Sequence, residues 1–170
     1  MPEIFINGQA VQARDDQTVL EVARETGVFV PYFCWHPQLS VPGNCRICVV
    51  GVEDKGGEWV EIACNMPVNA GMKVFTESDE VKAHRKAILQ FITLNHPVDC
   101  GICDKAGECT LQRLYFEWDH KPSRIDHEKV HKPKRVDVGP AIVLDQERCI
   151  LCTRCVRVCD EVAGVSQLVM

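Results

Sequence analysis

Residues 3–27 read EIFINGQAVQARDDQTVLEVARETG, and this stretch sets the fold of the first part of the chain. EIFI is a short run rich in β-branched residues. Asn7-Gly8 is the dipeptide that most favours a two-residue hairpin turn, and QAVQA continues as an alternating partner strand. Thr18-Val19-Leu20-Glu21 fits a capping box, in which hydroxyl and carboxylate satisfy free N–H groups at a helix start. Val19, Leu20, Val22 and Ala23 fall at helical spacing, and Gly27 supplies the C-terminal cap. Strand, turn, strand and helix in that order predict the opening of a β-grasp domain.

Working outward, VPYFCWHPQLSVPGNCRIC (residues 30–48) has no hydrophobic period and is dense in turn residues. CVVGVE then reads as a strand, DKGG as a turn, EWVEIAC as its partner and MKVFT as a last strand. Ser78 is predicted to cap a second helix reaching the neighbourhood of Asn95, with Val81, Ile88, Leu89, Phe91 and Ile92 as its apolar stripe. His96-Pro97 ends it. TLQRLYFEW predicts a further helical turn. Residues 119–140 carry scattered apolar residues and the basic run HKPKR. They read as an extended linker or surface arm, with His120, His127 and His131 facing solvent. From Ile142 the chain becomes apolar again and enters a dense cysteine run. The predicted class is α+β, in four segments at 1–78, 79–118, 119–140 and 141–170.

Composition narrows the chemistry. The chain has 170 residues, with 19 Lys+Arg against 24 Asp+Glu and a formal net charge of −5, an acidic balance that argues against a nucleic-acid protein. It has 11 cysteines, an odd number. The N-terminus shows no basic and then apolar leader. The longest apolar run, Gly27 to Trp35, contains a proline and falls well short of a membrane span. The expected setting is therefore reducing, where clustered thiols hold metal rather than form disulfides.

The cysteines fall into three sets. The first is Cys34-x10-Cys45-x2-Cys48-x15-Cys64. A [2Fe–2S] cluster takes four thiolates, two per iron, and the short residues Gly43-Asn44 would let backbone N–H groups approach its sulfur. Zinc competes for four cysteines, but structural zinc sites usually show two CxxC-like knuckles and here there is one. The second set is His96-x3-Cys100-x2-Cys103-x5-Cys109. Spacing leaves zinc and a [4Fe–4S] cluster with one imidazole ligand equally open, beside a His96 that simply ends a helix. The third is Cys149-x2-Cys152-x2-Cys155-x3-Cys159. CxxCxxC suits three irons of a cubane; the fourth ligand is Cys159 or a residue outside this sequence. Asp160, not proline, follows Cys159, unlike the two-cluster ferredoxin pattern.

PYFCWHP, GNCRICVV, LNHPVDCGICDKAGECTLQ and RCILCTRCVR resemble the large iron–sulfur subunits of respiratory complex I, NADH:quinone oxidoreductase. The three motifs occur in that family's order. The resemblance implies a [2Fe–2S] ferredoxin-type β-grasp domain, then a small helical cluster domain with one histidine and three cysteines, then the start of a [4Fe–4S] ferredoxin-type domain. It implies one [2Fe–2S] cluster on Cys34, Cys45, Cys48 and Cys64. It also implies two [4Fe–4S] clusters, one on His96, Cys100, Cys103 and Cys109 and one on Cys149, Cys152 and Cys155. The last cluster's fourth ligand is then expected beyond Met170, with Cys159 an ordinary thiol. FMN and NADH would sit on a partner flavin subunit. The chain would be a peripheral electron-transfer component of the translocase on the cytoplasmic side of a bacterial inner membrane, passing electrons toward quinone.

Nothing in the sequence contradicts a relay role: it has neither GxGxxG nor a P-loop, and no catalytic residue is assigned. Three other readings stand beside it. One is a diaphorase iron–sulfur subunit of an NAD-reducing hydrogenase, which would be cytoplasmic, or the N-terminal region of an iron-only hydrogenase. Another is a zinc-stabilised binding module, and the third a redox-sensing fragment. The iron and zinc readings differ in colour. The purified protein is expected to be brown, with broad visible absorption and labile sulfide; a colourless protein holding zinc would select the binding module.

Overall fold

The computed structural model describes residues 1–119 and 127–169. His120 and the rest of 120–126, part of the expected arm, lie outside the described residues. Two compact units are present. One comprises Met1–Arg85 with Cys152–Met170, and the other Lys86–Leu151.

The first unit is built on a five-stranded sheet. Strands β1 (Glu3–Ile6) and β2 (Gln9–Gln12) form the expected hairpin, with Ile4 opposite Val11. Asn7 and Gly8 take positive φ values of 50° and 83°, as a two-residue turn of this kind requires. Helix α1 (Val19–Glu25) starts on the capping box: the Thr18 N–H donates to the Glu21 carboxylate at 2.8 Å, and the Glu21 N–H donates to Thr18 Oγ1. Its Val19, Leu20, Val22 and Ala23 are all buried. Strands β3 (Val49–Asp54) and β4 (Gly57–Ile62) make a second hairpin, and β5 (Lys73–Phe75) returns between the two. The order is β2-β1-β5-β3-β4, with β1 and β5 parallel and the other pairs antiparallel. Ile4, Ile6, Leu20, Ile47, Val50 and Val74 are buried in its core.

Helix α2 (Asp79–Thr93) begins where expected, with the Val81 N–H donating to Ser78 Oγ. The division between the units falls within it, after Arg85. Arg85 is an unexpected core member, 1% exposed. Its guanidinium donates through Nε and Nη2 to the Val49 carbonyl at 3.1 and 2.9 Å. Burial lowers its pKa to about 10, opposed by the nearby charges of Glu77 and Cys48, so it stays cationic at neutral pH.

The second unit contains little apolar core. Of the buried hydrophobic residues, only Leu89, Leu111 and Leu114 belong to it among the described residues. Its regular elements beyond α2 are a 3-10 turn at Cys100–Ile102, α3 (Thr110–Leu114) running on into a π-helical turn, and strands β6 (Val136–Asp137) and β7 (Val143–Leu144). That last hairpin starts inside the stretch read as an arm. Val136 pairs with Leu144, and Gly139 at φ 81° makes the bend. Lys129 of the same stretch donates to the Thr93 and His96 carbonyls, and the Val130 N–H to Asn95 Oδ1 at 3.1 Å. Two residues per strand give too little alternation to read as strands in sequence. Among the described residues, no helix is long and apolar enough to cross a membrane.

Two outcomes follow from this distribution of core. Arg85→Ala leaves the Val49 carbonyl without its donor and opens a void, and should cost roughly 3 kcal/mol in denaturant unfolding. Stripping metal with a chelator should raise amide exchange first within residues 96–109; equal protection with and without metal would show that ligation does not hold this segment.

Candidate metal centres

The first cysteine set lies between the strands of the first unit. Cys34 sits in the irregular stretch after α1, Cys45 and Cys48 precede β3, and Cys64 lies in the 3-10 turn that ends β4. Cys34, Cys48 and Cys64 are buried, and Cys45 is half-buried. The Ala63 N–H donates to the Cys48 carbonyl at 3.0 Å, which ties the CxxC turn to the turn holding Cys64. Gly43 has φ +61°, and a Cβ there would meet Ile62 Cδ1 at 3.3 Å, so a side chain is disfavoured on both counts.

Within the set the thiols act as two couples. The Cys45 thiol donates to Cys34, and the Cys34 N–H donates to Cys45 Sγ at 3.4 Å. Cys34 is brought down to about 5 by that thiol, against burial. The backbone N–H groups of Cys45 and Asn44 and the Arg157 cation add to the lowering. Cys45 is pushed up because it holds the shared proton and is buried. Cys64 likewise donates to Cys48, lowering Cys48 and itself being raised by that partner and by burial. Four soft donors in two couples suit an iron pair with two thiolates on each metal. Among the described residues, no three His, Cys, Asp or Glu groups converge on a single ion.

In the second set, burial and the charges of Cys109 and Cys103 raise Cys100, so these three thiols lie within electrostatic reach of one another. Cys109 caps α3, its Sγ accepting from the Gln112 N–H at 3.5 Å. His96 is half-buried, and its Nδ1 accepts from the Val98 N–H at 3.3 Å, which leaves Nε2 as the ring atom open to a metal bond. Burial, and then the Lys129 ammonium, lower its pKa and keep the imidazole in the neutral form that coordinates metal. His96 and Cys100 both feel the charge of Asp99, which Arg148 holds at 2.9 Å.

The third set is the most open. Cys149 and Cys155 are exposed, and Cys152 and Cys159 are half-buried. Cys155 stands in the short helix α4 (Arg154–Arg157), and Cys159 in the π-helical turn after it. The division between the units falls just after Leu151, inside this motif.

One signal escapes sequence reading. Among the described residues, five non-glycine positions have positive φ: Asn7, Arg46, Val98, Leu151 and Thr153. Asn7 belongs to a hairpin. The other four lie inside the three ligand segments, and for β-branched Val98 and Thr153 this conformation is costly. A left-handed residue in a turn aims successive N–H groups into one concavity, the backbone arrangement found around many iron–sulfur sites. Neither Arg46 nor Leu151 advertises such a turn by composition.

Three family models match the chain in succession. Residues 2–79 match the family described as a 2Fe-2S iron-sulfur cluster binding domain. Residues 85–124 match the NADH-ubiquinone oxidoreductase-G iron-sulfur binding region, and 139–170 the ferredoxin-like domain of NADH-quinone oxidoreductase subunit 3. The NADH-ubiquinone oxidoreductase 75 kDa subunit of Reclinomonas americana is 42% identical over 168 residues, 99% of this chain and 24% of its own length. The G subunit of the NADH-quinone oxidoreductase of Rickettsia prowazekii is 36% identical, with the same coverage. The chain therefore spans about a quarter of the length of these curated relatives. A chain in the crystal structure of an NAD+-reducing [NiFe]-hydrogenase in the H2-reduced state superposes with a TM-score of 0.84 at 30% identity, covering 99% of this chain and 69% of that one. The sequence thus carries both 2Fe–2S and 4Fe–4S binding regions, and it belongs to the family of iron–sulfur subunits that includes the 75 kDa and G subunits of NADH–quinone oxidoreductases.

Proposed function

We propose that this chain relays single electrons within an NADH:quinone oxidoreductase. The ligand sets are Cys34, Cys45, Cys48 and Cys64 for one [2Fe–2S] cluster, and His96, Cys100, Cys103 and Cys109 for a [4Fe–4S] cluster. Cys149, Cys152 and Cys155 serve a second [4Fe–4S] cluster, with the fourth donor supplied from outside this sequence rather than by Cys159. The segments 1–78, 79–118 and 141–170 then correspond to three cluster modules, joined through 119–140. The observation that carries the reading is the pair of thiol couples, Cys34 with Cys45 and Cys48 with Cys64, three of the four residues buried, with the N–H groups of Asn44 and Cys45 on the Cys34 sulfur.

When bound, the clusters supply one-electron redox chemistry. The protein's own residues do the rest. Ile47, Cys48 and Trp35 exclude water around the first set. Asn44 and Cys45 present N–H groups to Cys34 sulfur, and Gln112 presents its N–H to Cys109. His96 replaces an anionic ligand by a neutral one, which favours the reduced state of its cluster. In this reading electrons arrive from a flavin subunit carrying FMN and NADH and leave toward quinone. The chain sits in a peripheral arm and meets the membrane only through the complex.

A second reading is favoured by a specific likeness: the hydrogenase chain is covered over 69% of its length. There the same relay would serve the diaphorase part of an NAD-reducing hydrogenase. The higher identities of 36% and 42% with the G and 75 kDa subunits favour the quinone-linked assignment. Isolation of the full-length protein with its partners decides between them, because NADH-dependent quinone reduction supports the first and hydrogen-dependent NAD+ reduction the second.

The ligand assignment has its own test. His96→Cys should keep a [4Fe–4S] cluster and lower its potential, since a thiolate adds negative charge to the cluster shell. Spectroelectrochemistry giving the parent potential would remove His96 from the ligand set.

A further inference from the structure

Arg157 is a buried cation set among the ligand loops of the first unit. It is 9% exposed. Its guanidinium donates to the carbonyl oxygens of Cys34, Ser40 (2.6 Å) and Cys152 (3.5 Å), and to Thr153 Oγ1 at 3.2 Å. One side chain thereby holds the backbone of a ligand in the first set and of a ligand in the third. Each of these hydrogen bonds ends on a neutral oxygen.

A guanidinium withdrawn from water with only neutral partners is expensive unless an opposite charge lies close by. Two candidates face it. The Glu161 carboxylate is exposed and is engaged by the Ser40 hydroxyl and by the Ser40 N–H at 2.8 Å. It feels Arg157, but through a more solvated path. The other is the sulfur of buried Cys34, whose own carbonyl Arg157 grips. Two ferric ions, two sulfides and four thiolates already sum to a net negative charge, and one-electron reduction adds another. A fixed positive charge beside that group stabilises the reduced form more than the oxidised one.

We propose that Arg157 is a positioning residue for the [2Fe–2S] site, the built-in counter-charge of the Cys34–Cys64 ligand set. It raises the reduction potential of that cluster while fixing the Cys34 loop to Cys152. This inference rests on the assignment of Cys34, Cys45, Cys48 and Cys64 as cluster ligands. Arg154 differs in reach: it donates to the Trp35 carbonyl at 2.7 Å and lies over the Tyr32 ring, one residue removed from the ligand.

The test is a dye-mediated redox titration of the full-length, cluster-loaded protein, followed by the electron paramagnetic resonance signal of the reduced [2Fe–2S] cluster. Arg157→Gln, which keeps donors but removes the charge, should move the midpoint to a more negative potential. Arg157→Lys, which keeps the charge, should titrate with the parent. A Gln variant that holds the cluster at the parent potential would overturn the proposal, as would a Lys variant displaced as far as Gln. Should the Gln variant fail to assemble the cluster, the Lys variant decides. The parent potential in Lys supports the charge role; a displaced potential or a lost cluster overturns it. A parent protein with no [2Fe–2S] signal would defeat the ligand assignment itself and take this proposal with it, an outcome read before either variant is made.

Discussion

Thiolates repel one another, and burial removes the water that would screen them. A small domain that gathers Cys34, Cys45, Cys48 and Cys64 must therefore supply positive potential from its own backbone and side chains. The first unit does so at three levels. Backbone N–H groups of Asn44 and Cys45 approach Cys34 sulfur. The left-handed conformation of Arg46 turns the chain within the CxxC segment. Two buried guanidiniums stand behind these cysteines: Arg85 on the Val49 carbonyl, next to Cys48, and Arg157 on the Cys34 carbonyl. The β-grasp sheet matters here as a rigid frame, since Cys48 leads directly into β3, Cys64 lies in the turn that ends β4, and the Ala63 N–H holds the Cys48 carbonyl.

The second unit meets the same requirement with almost no apolar frame. Its side chains hold each other largely by charge. Glu147 accepts from Lys134, from His131 at 2.8 Å and from the Lys132 N–H, and these partners hold its carboxyl at about 2. Asp99, beside Cys100, is lowered by the hydrogen bond from Arg148. Lys129 bridges two carbonyls at the end of α2. Glu147 itself is buried, while its partners His131 and Lys134 lie at the surface. Small metal-binding domains with so little apolar core commonly owe their order to metal ligation.

The parts of the molecule legible in the sequence are those where local chemistry decides. Asn7-Gly8 fixes a turn by its own conformational preference, and Thr18 with Glu21 fixes a helix start through two hydrogen bonds between near neighbours. Cysteine spacing is equally local, because a CxxC turn places two sulfurs on one side of the chain whatever surrounds it. The illegible parts depend on distant partners. Arg85 reads as the polar face of a helix until Val49, 36 residues away, is seen to take its protons. Nothing in the residues around Arg157 points to the loop at Cys34, 123 residues away, whose carbonyl it holds. Val136–Asp137 is too short to show a period.

The run RCILCTRCVRVCD, beginning at Arg148, puts these two kinds of information in the same short stretch. Its cysteines announce a cluster. Its arginines also reach out of the run. Arg148 goes to Asp99 and the Ile102 carbonyl within the second unit. Arg154 and Arg157 go to the Trp35 and Cys34 carbonyls within the first. The interval of three residues between Arg154 and Arg157 puts both on one face of α4, so a single helical turn reaches two neighbouring carbonyls of one ligand loop. Hydrogen bonds from charged donors are about twice as strong as neutral ones and carry direction, which makes arginine suited to fixing a loop that has no strand to hold it. The motif thus combines a candidate ligand set with a fastener. Because electron transfer depends steeply on the separation of centres, residues that fix such loops matter to the proposed relay as much as those proposed to hold the iron.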